Sequence, residues 1–156
     1  DYNRHSGYVV IFRESLLAHA KELGMTVIES EHYEADSFDA QHFVSTVFAH
    51  PDRPNAIINQ ANASVLSQVL MALHDADMSI PQDVSVLSCG TYFEGEPTRF
   101  PITEMPVMPE ELCAEAMNLL VSAIEEHTDI KGSVELIEPA LKRRGSVAEA
   151  GSGGTI

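Results

Sequence analysis

Apolar residues recur along the chain with two different periods, and their alternation predicts the fold class. Between Ala63 and Ala76, Leu66, Val69, Leu70 and Leu73 fall at i, i+3, i+4 and i+7, the spacing that gathers side chains on one face of an α-helix. Asn62 or Ser64 can cap its start, because a short polar side chain accepts from the free N–H groups of a first turn. Asp77 occupies the stop position where Gly is commoner, and Asp tolerates the left-handed conformation better than most residues. A second helix is predicted from about Glu110 to Glu126, with Cys113, Ala116, Met117, Leu120, Val121 and Ile124 on one stripe that Leu112 and Leu119 widen. A third is predicted from about Asp39 to His50, burying Phe43, Val44, Val47 and Phe48.

The opening segment reads two ways. "GYVVIF" alone has the character of a strand, whereas Val9, Phe12, Leu16, Ala20 and Leu23 fit a helix that stops at Gly24. The helix is preferred because the pattern continues through "RESLLAHAKELG" without a turn signal. Period-two or β-branched runs predict strands at Met25–Glu29, Asn55–Asn59, Val84–Ser88 and Val134–Glu138. Strands alternating with helices point to βαβ units: an α/β fold with a mostly parallel sheet flanked by helices. The Gly/Ser-rich ending "EAGSGGTI" is expected to be a flexible tail.

Composition narrows the function classes. The 156 residues suffice for one domain with a single core, and 44% hydrophobic with 21% charged residues is ordinary for a soluble globular chain. No apolar run approaches the roughly 18 residues that span a membrane, and no secretory leader opens the sequence, so a cytoplasmic location is expected. The net charge of −15, with nine basic residues against 24 acidic ones, argues against direct binding of nucleic acid. The one basic cluster, Lys142-Arg143-Arg144, reads as a solvated strand exit. Cys89 and Cys113 lack ligand spacing and read as buried free thiols. The seven histidines are scattered without H-E-x-x-H, so no metal is expected, and no phosphate-cradling glycine loop implies a nucleotide or any other cofactor. Ser88-Cys89-Gly90 has neither the G-x-S-x-G nor the papain-type context of a nucleophile, and the chain does not read as an enzyme. It reads instead as the close of a strand beside a ligand cleft, since ligands in open α/β sheets bind outside the carboxyl ends of the strands.

Five segments in order across residues 4–147 resemble one family. "RHSGY" is similar to an R-x-x-G-[FY] that opens a helix, and "RPNAIINQAN" to a strand closing on an Asn/Asp pair. "ALHDADMSIPQDVSVLS" resembles A-L-x-x-x-G-x-x-[IV]-P-x-D-[IV]-S-[VI]-[IV]-G, and "PITEMPVMPEELCAEAMNLLVSAI" the crossover helix that follows. "EPALKRRGS" fits P-x-L-x-x-R-x-S through Pro139, Leu141, Arg144 and Ser146. These segments resemble the effector-sensing region of lactose/galactose-repressor-type transcription regulators, which share the periplasmic-binding-protein fold. The resemblance implies a two-lobed sensor that closes on a small ligand and is read out by an N-terminal helix-turn-helix domain. It implies that this chain lacks the DNA-binding domain and most of the N-terminal lobe. Residues 1–101 and 132–147 would then build the C-terminal lobe, 102–131 a crossover segment of the other lobe, and 148–156 the tail.

The implied ligand residues are Arg4, Tyr33, Asn62, Gly90 and Thr91. Arg4 matches the motif arginine, whose planar guanidinium suits bidentate contact with hydroxyls or carboxylates; an exposed helix-start arginine is the rival reading. Asn62 lies beside the polar pair, where a plain helix cap competes, and Tyr33 falls near a ring-stacking aromatic. Most relatives end the "VSVIG" strand in an acid that grips sugar hydroxyls, and here Gly90 and Thr91 stand in that place. That departure points to a small effector, sugar-like or a small organic acid, that is anionic or else bulkier and less hydroxylated than a hexose. The family also implies a homodimer, with Val65 and Met71 as candidate partner surface. If the other lobe is absent, the apolar stripe at 113–124 is expected to pack on this chain's own sheet or on a neighbour. The competing function is a soluble substrate-binding protein for uptake; the "PALKRRGS" ending favours the regulator.

Overall fold

In chain order the elements are α1 (Gly7–Glu22), α2 (Ala40–Val47), β1 (Ala56–Asn59), α3 (Ala63–Asp75), β2 (Ser85–Cys89), β3 (Thr103–Met105) and α4 (Pro109–Glu126). They come from a computed structural model that describes residues 7–30, 37–60, 63–89, 100–107, 109–127, 129, 131–132 and 134–148. β1, β2 and β3 form a parallel sheet in that order, with Ile58 opposite Leu87, Asn59 opposite Ser88, and Ser88 opposite Glu104. Parallel neighbours need a crossover, and α3 supplies the one between β1 and β2. One core joins α2, α3 and one face of the sheet, through Val44, Phe48, Leu66, Leu70, Leu73, Val84, Val86 and Ile102.

The helices follow the predicted faces. Val9, Phe12 and Leu16 are half-buried and Ala20 is buried, while Leu23 is 75% exposed just past the end of α1. Gly24, at φ +69°, ends that helix: Met25 N–H donates to Ala20 O and Gly24 N–H to Lys21 O, the paired bonds of a left-handed cap. α2 is shorter than predicted, with Asp39 as its cap, whose carboxylate accepts from His42 N–H at 2.9 Å. Asp77 closes α3 at φ +57°, with Met78 N–H donating to Leu73 O and Asp77 N–H to His74 O. A residue without a Cβ holds that conformation without steric cost, so Asp77→Gly is expected to stabilise the chain by about 0.5–1 kcal/mol. A rise in the urea midpoint at unchanged slope checks it.

Two predicted strands do not form. Met25–Glu29 and Val134–Glu138 lie outside any ladder, and Leu136 is 89% exposed. A β-branched run becomes a strand only where a neighbour offers its N–H and C=O groups, and among the described residues neither segment has one. A strand absent from the prediction does form: β3, inside the stretch that the family division assigns to the other lobe, joins the edge of β2.

The stretch Lys142–Ala148 is woven onto the sheet. Lys142 and Glu104 exchange both backbone hydrogen bonds as an antiparallel bridge, and Val86 N–H donates to Ser146 O at 2.8 Å. The Ser146 hydroxyl, buried, donates to Val86 O at 2.6 Å and accepts from Thr103 N–H at 2.7 Å. Arg144 is therefore not part of a solvated exit; its guanidinium meets the buried Glu104 carboxylate and donates to Ile102 O.

Of the two partners expected for the α4 stripe, this chain's own sheet is excluded: Met117 and Ile124 are 58% and 63% exposed, and Ala123 is the buried residue of the helix, which leaves a neighbouring chain as the expected cover. Two further expectations are corrected. Cys113, on that stripe, is exposed, whereas Cys89 is buried as predicted and both thiols are free. Val65 lies in the core, because α3 turns a wider face inward than its four-residue stripe, and only Met71 of the expected pair is exposed. No helix among the described residues is long and apolar enough to cross a membrane.

Candidate functional site

The carboxyl ends of the three strands converge on a row of polar side chains. Register aligns Asn59, Ser88 and Glu104 across β1, β2 and β3, and all three are buried. On this face the residues two positions earlier, Ile57 and Val86, belong to or pack on the apolar core, so the sheet changes from apolar to polar as it approaches its carboxyl end. The Asn59 amide donates to Ser88 Oγ at 3.5 Å, and Glu104 is held by Arg144. A buried charge is tolerated when it is paired, and here the partner comes from the return segment.

The other face carries the alternate residues. Cys89 is buried but outside the α2–α3 core cluster, and it aligns with Met105. Burial pushes its thiol up from the ordinary value, which keeps it protonated and a poor nucleophile. Gln60 is the residue after the last rung of the β1–β2 ladder. The Gln60 amide nitrogen is buried and has no hydrogen-bond partner among the described residues.

Arg4, Tyr33, Asn62, Gly90 and Thr91 lie outside the described residues. In sequence Gly90 follows Cys89, the last residue of β2, and Asn62 precedes Ala63, the first residue of α3. Asn59 and Ser88 are register partners, so β1 and β2 close side by side. Sequence reasoning placed Ser88 at the strand end and Arg144 in the terminal motif, but did not single out Asn59, Gln60 or Glu104. The available signal was Asn-Gln and Ser-Cys closing two apolar runs, polar residues where a buried strand would otherwise continue apolar. A cavity of about 360 Å³ lies elsewhere, at the amino-terminal approach to β2, lined by His74, Asp77, Gln82 and Phe100 among others. It is separate from the strand-end residues.

Residues 1–147 match the profile of the periplasmic binding protein-like domain. The chain belongs to this family. No curated protein matches it. Among solved structures it is similar to a LacI family transcriptional regulator from Bifidobacterium animalis subsp. lactis, at 23% identity and a TM-score of 0.71, over 92% of this chain and 52% of that one. A LacI family regulator from an Arthrobacter species, in complex with lactose, matches at 22% identity and a TM-score of 0.64, over 86% and 50%. A regulator of the same family from Lactobacillus casei, with bound sucrose, matches at 18% identity and a TM-score of 0.59, again over 86% and 50%. The chain thus spans about half the length of the solved structures it matches, and the α/β, periplasmic-binding-protein-like fold expected from its motifs is the fold it has.

Proposed function

We propose that this chain is part of the small-molecule sensor of a cytoplasmic transcription regulator, in which an effector binds between two lobes. Closure of the lobes would shift an equilibrium read out at DNA by a helix-turn-helix domain elsewhere in the polypeptide. The match to a LacI family regulator through 92% of the chain is the observation that carries this reading. The woven Arg144 and Ser146 agree with it, since they are the residues of the terminal motif that the regulators share. In this reading 1–101 and 132–147 contribute to one lobe, β3 extends the sheet of that lobe, the rest of 102–131 is the crossover, and the full protein is a homodimer, as palindromic operators require. The effector contacts are Arg4, Tyr33, Asn62, Gly90 and Thr91, and the reaction is binding without catalysis.

Lactose and sucrose serve as neutral probes and small carboxylates as anionic ones. A ligand that prefers the native state raises the melting temperature, so at least one class is expected to raise it for the full protein. Gly90→Asp is expected to reduce the shift given by a small carboxylate, because a second carboxylate at the strand end takes up space and repels the anion. A full panel with no shift, or an unchanged shift in the variant, would count against the strand-end site.

A further inference from the structure

We propose a second ligand site at the opposite end of the sheet, where a cavity takes a small organic cation with an aromatic or other apolar body. The inference is independent of the sensor reading. The cavity, of about 360 Å³, lies where α3 ends and the chain approaches β2 and β3. Small-molecule sites start at roughly 300 Å³ and combine an apolar lining with a few polar groups. Here Leu70 belongs to the core and Met78 and Phe100 pack against it, while His74, Asp77 and Gln82 supply the polar part. Asn59, Ser88 and Glu104 align near the other end of the strands and take no part in it.

Charge sets the class of ligand. Among the described residues that line the cavity there is no Lys or Arg, and Asp77 is its one carboxylate. Asp83, close by in sequence, is already engaged: it accepts from Ser79 N–H at 2.8 Å and lies 3.9 Å from the Arg53 guanidinium. Asp77 forms no such ion pair among the described residues. His74, Asp77 and Met78 belong to the last turn of α3 and its cap, and the carboxyl end of a helix carries a partial negative charge that favours a cation. The net charge of −15 adds attraction at long range. The Phe100 ring, 6.3 Å from that of His74, supplies a face to which a cation is drawn at short range. An anion would meet each of these features with the wrong sign.

The probe is benzylammonium, titrated into the full protein at low salt and followed by ligand-detected NMR. Benzyl alcohol and benzoate, of similar size, are the neutral and anionic controls. Benzylammonium is expected to bind more tightly than benzyl alcohol, and benzoate not to bind. Asp77→Asn removes the charge and keeps a residue that tolerates the left-handed backbone at this position, so the cap is retained. It is expected to weaken benzylammonium roughly threefold to fivefold, the worth of an exposed ion pair. Phe100→Leu should weaken it by a similar factor, since an apolar side chain remains and the ring is lost. Gly90→Asp, at the other end of the sheet, should leave the affinity unchanged. Absence of benzylammonium binding, equal binding of benzoate, or an unchanged affinity in Asp77→Asn overturns the proposal. So does tighter binding in Gly90→Asp, which would put the cation at the strand ends.

Discussion

Arg144→Met is expected to destabilise the fold by about 3–5 kcal/mol, because it leaves a buried carboxylate without its counter-charge. The Glu104 side chain is 7% exposed and that of Arg144 31%, so water screens the pair only from the arginine side. The same guanidinium donates to Ile102 O at 3.0 Å, just before β3 begins, and that carbonyl loses its donor as well. Glu104 sits in the middle of β3, a strand of three residues whose outer edge is bridged by Lys142. Repelling the carboxylate from this place should loosen both β3 and the return segment. The double variant Glu104→Leu/Arg144→Met should recover most of the loss, since an apolar pair of similar volume replaces the ion pair without stranding a charge. Urea unfolding of the three variants measures the effect. A loss below 1 kcal/mol for Arg144→Met would mean that Glu104 is solvated, and the account of the return segment would fail.

That pair also shows where the sequence stops being legible. Lys142-Arg143-Arg144 reads as a solvated run because its partner lies forty residues earlier, and local pattern contains no information about charge pairing at that distance. β3 is hidden for the same reason: "TEM" has a glutamate at its centre, and it is a strand only because β2 offers an edge and Arg144 a counter-charge. Met25–Glu29 and Val134–Glu138 are the converse case, apolar and β-branched runs with no ladder to join among the described residues. α3, by contrast, was legible to within a residue, since a 3.6-residue period is written into consecutive positions and its capping Asp77 announces itself. The site divides similarly. The strand ends could be placed from "NQ" and "SCG", but the alignment of Asn59, Ser88 and Glu104 depends on register across three strands. Register is fixed by the packing of whole faces, not by any one segment.

Leu73→Ala is expected to cost about 2–5 kcal/mol, toward the upper half of that range. Leu73 is 0% exposed and belongs to a cluster drawn from α2, α3, β2 and the residue before β3, so four separate segments would have to shift together to close the cavity. Cores held from several sides relax least and lose most. Leu73 O also accepts from Met78 N–H in the cap of α3, which anchors that end of the helix in place. For a chain of this size the loss lowers the melting temperature by roughly 2–4 °C per kcal/mol. Met71→Ala, two residues earlier on a side chain that is 55% exposed, is expected to stay within about 0.5 kcal/mol for the isolated protomer. The comparison separates the core of α3 from any surface that a second copy covers. Stability that depends on association varies with protein concentration, whereas loss of a core contact does not. Leu73→Ala should therefore lower the melting temperature equally at all concentrations. A Met71→Ala effect that grows with concentration would place Met71 in the homodimer interface, and one that stays flat would leave that interface to other surfaces. A loss below 1 kcal/mol for Leu73→Ala would mean that α3 does not turn this face to the sheet.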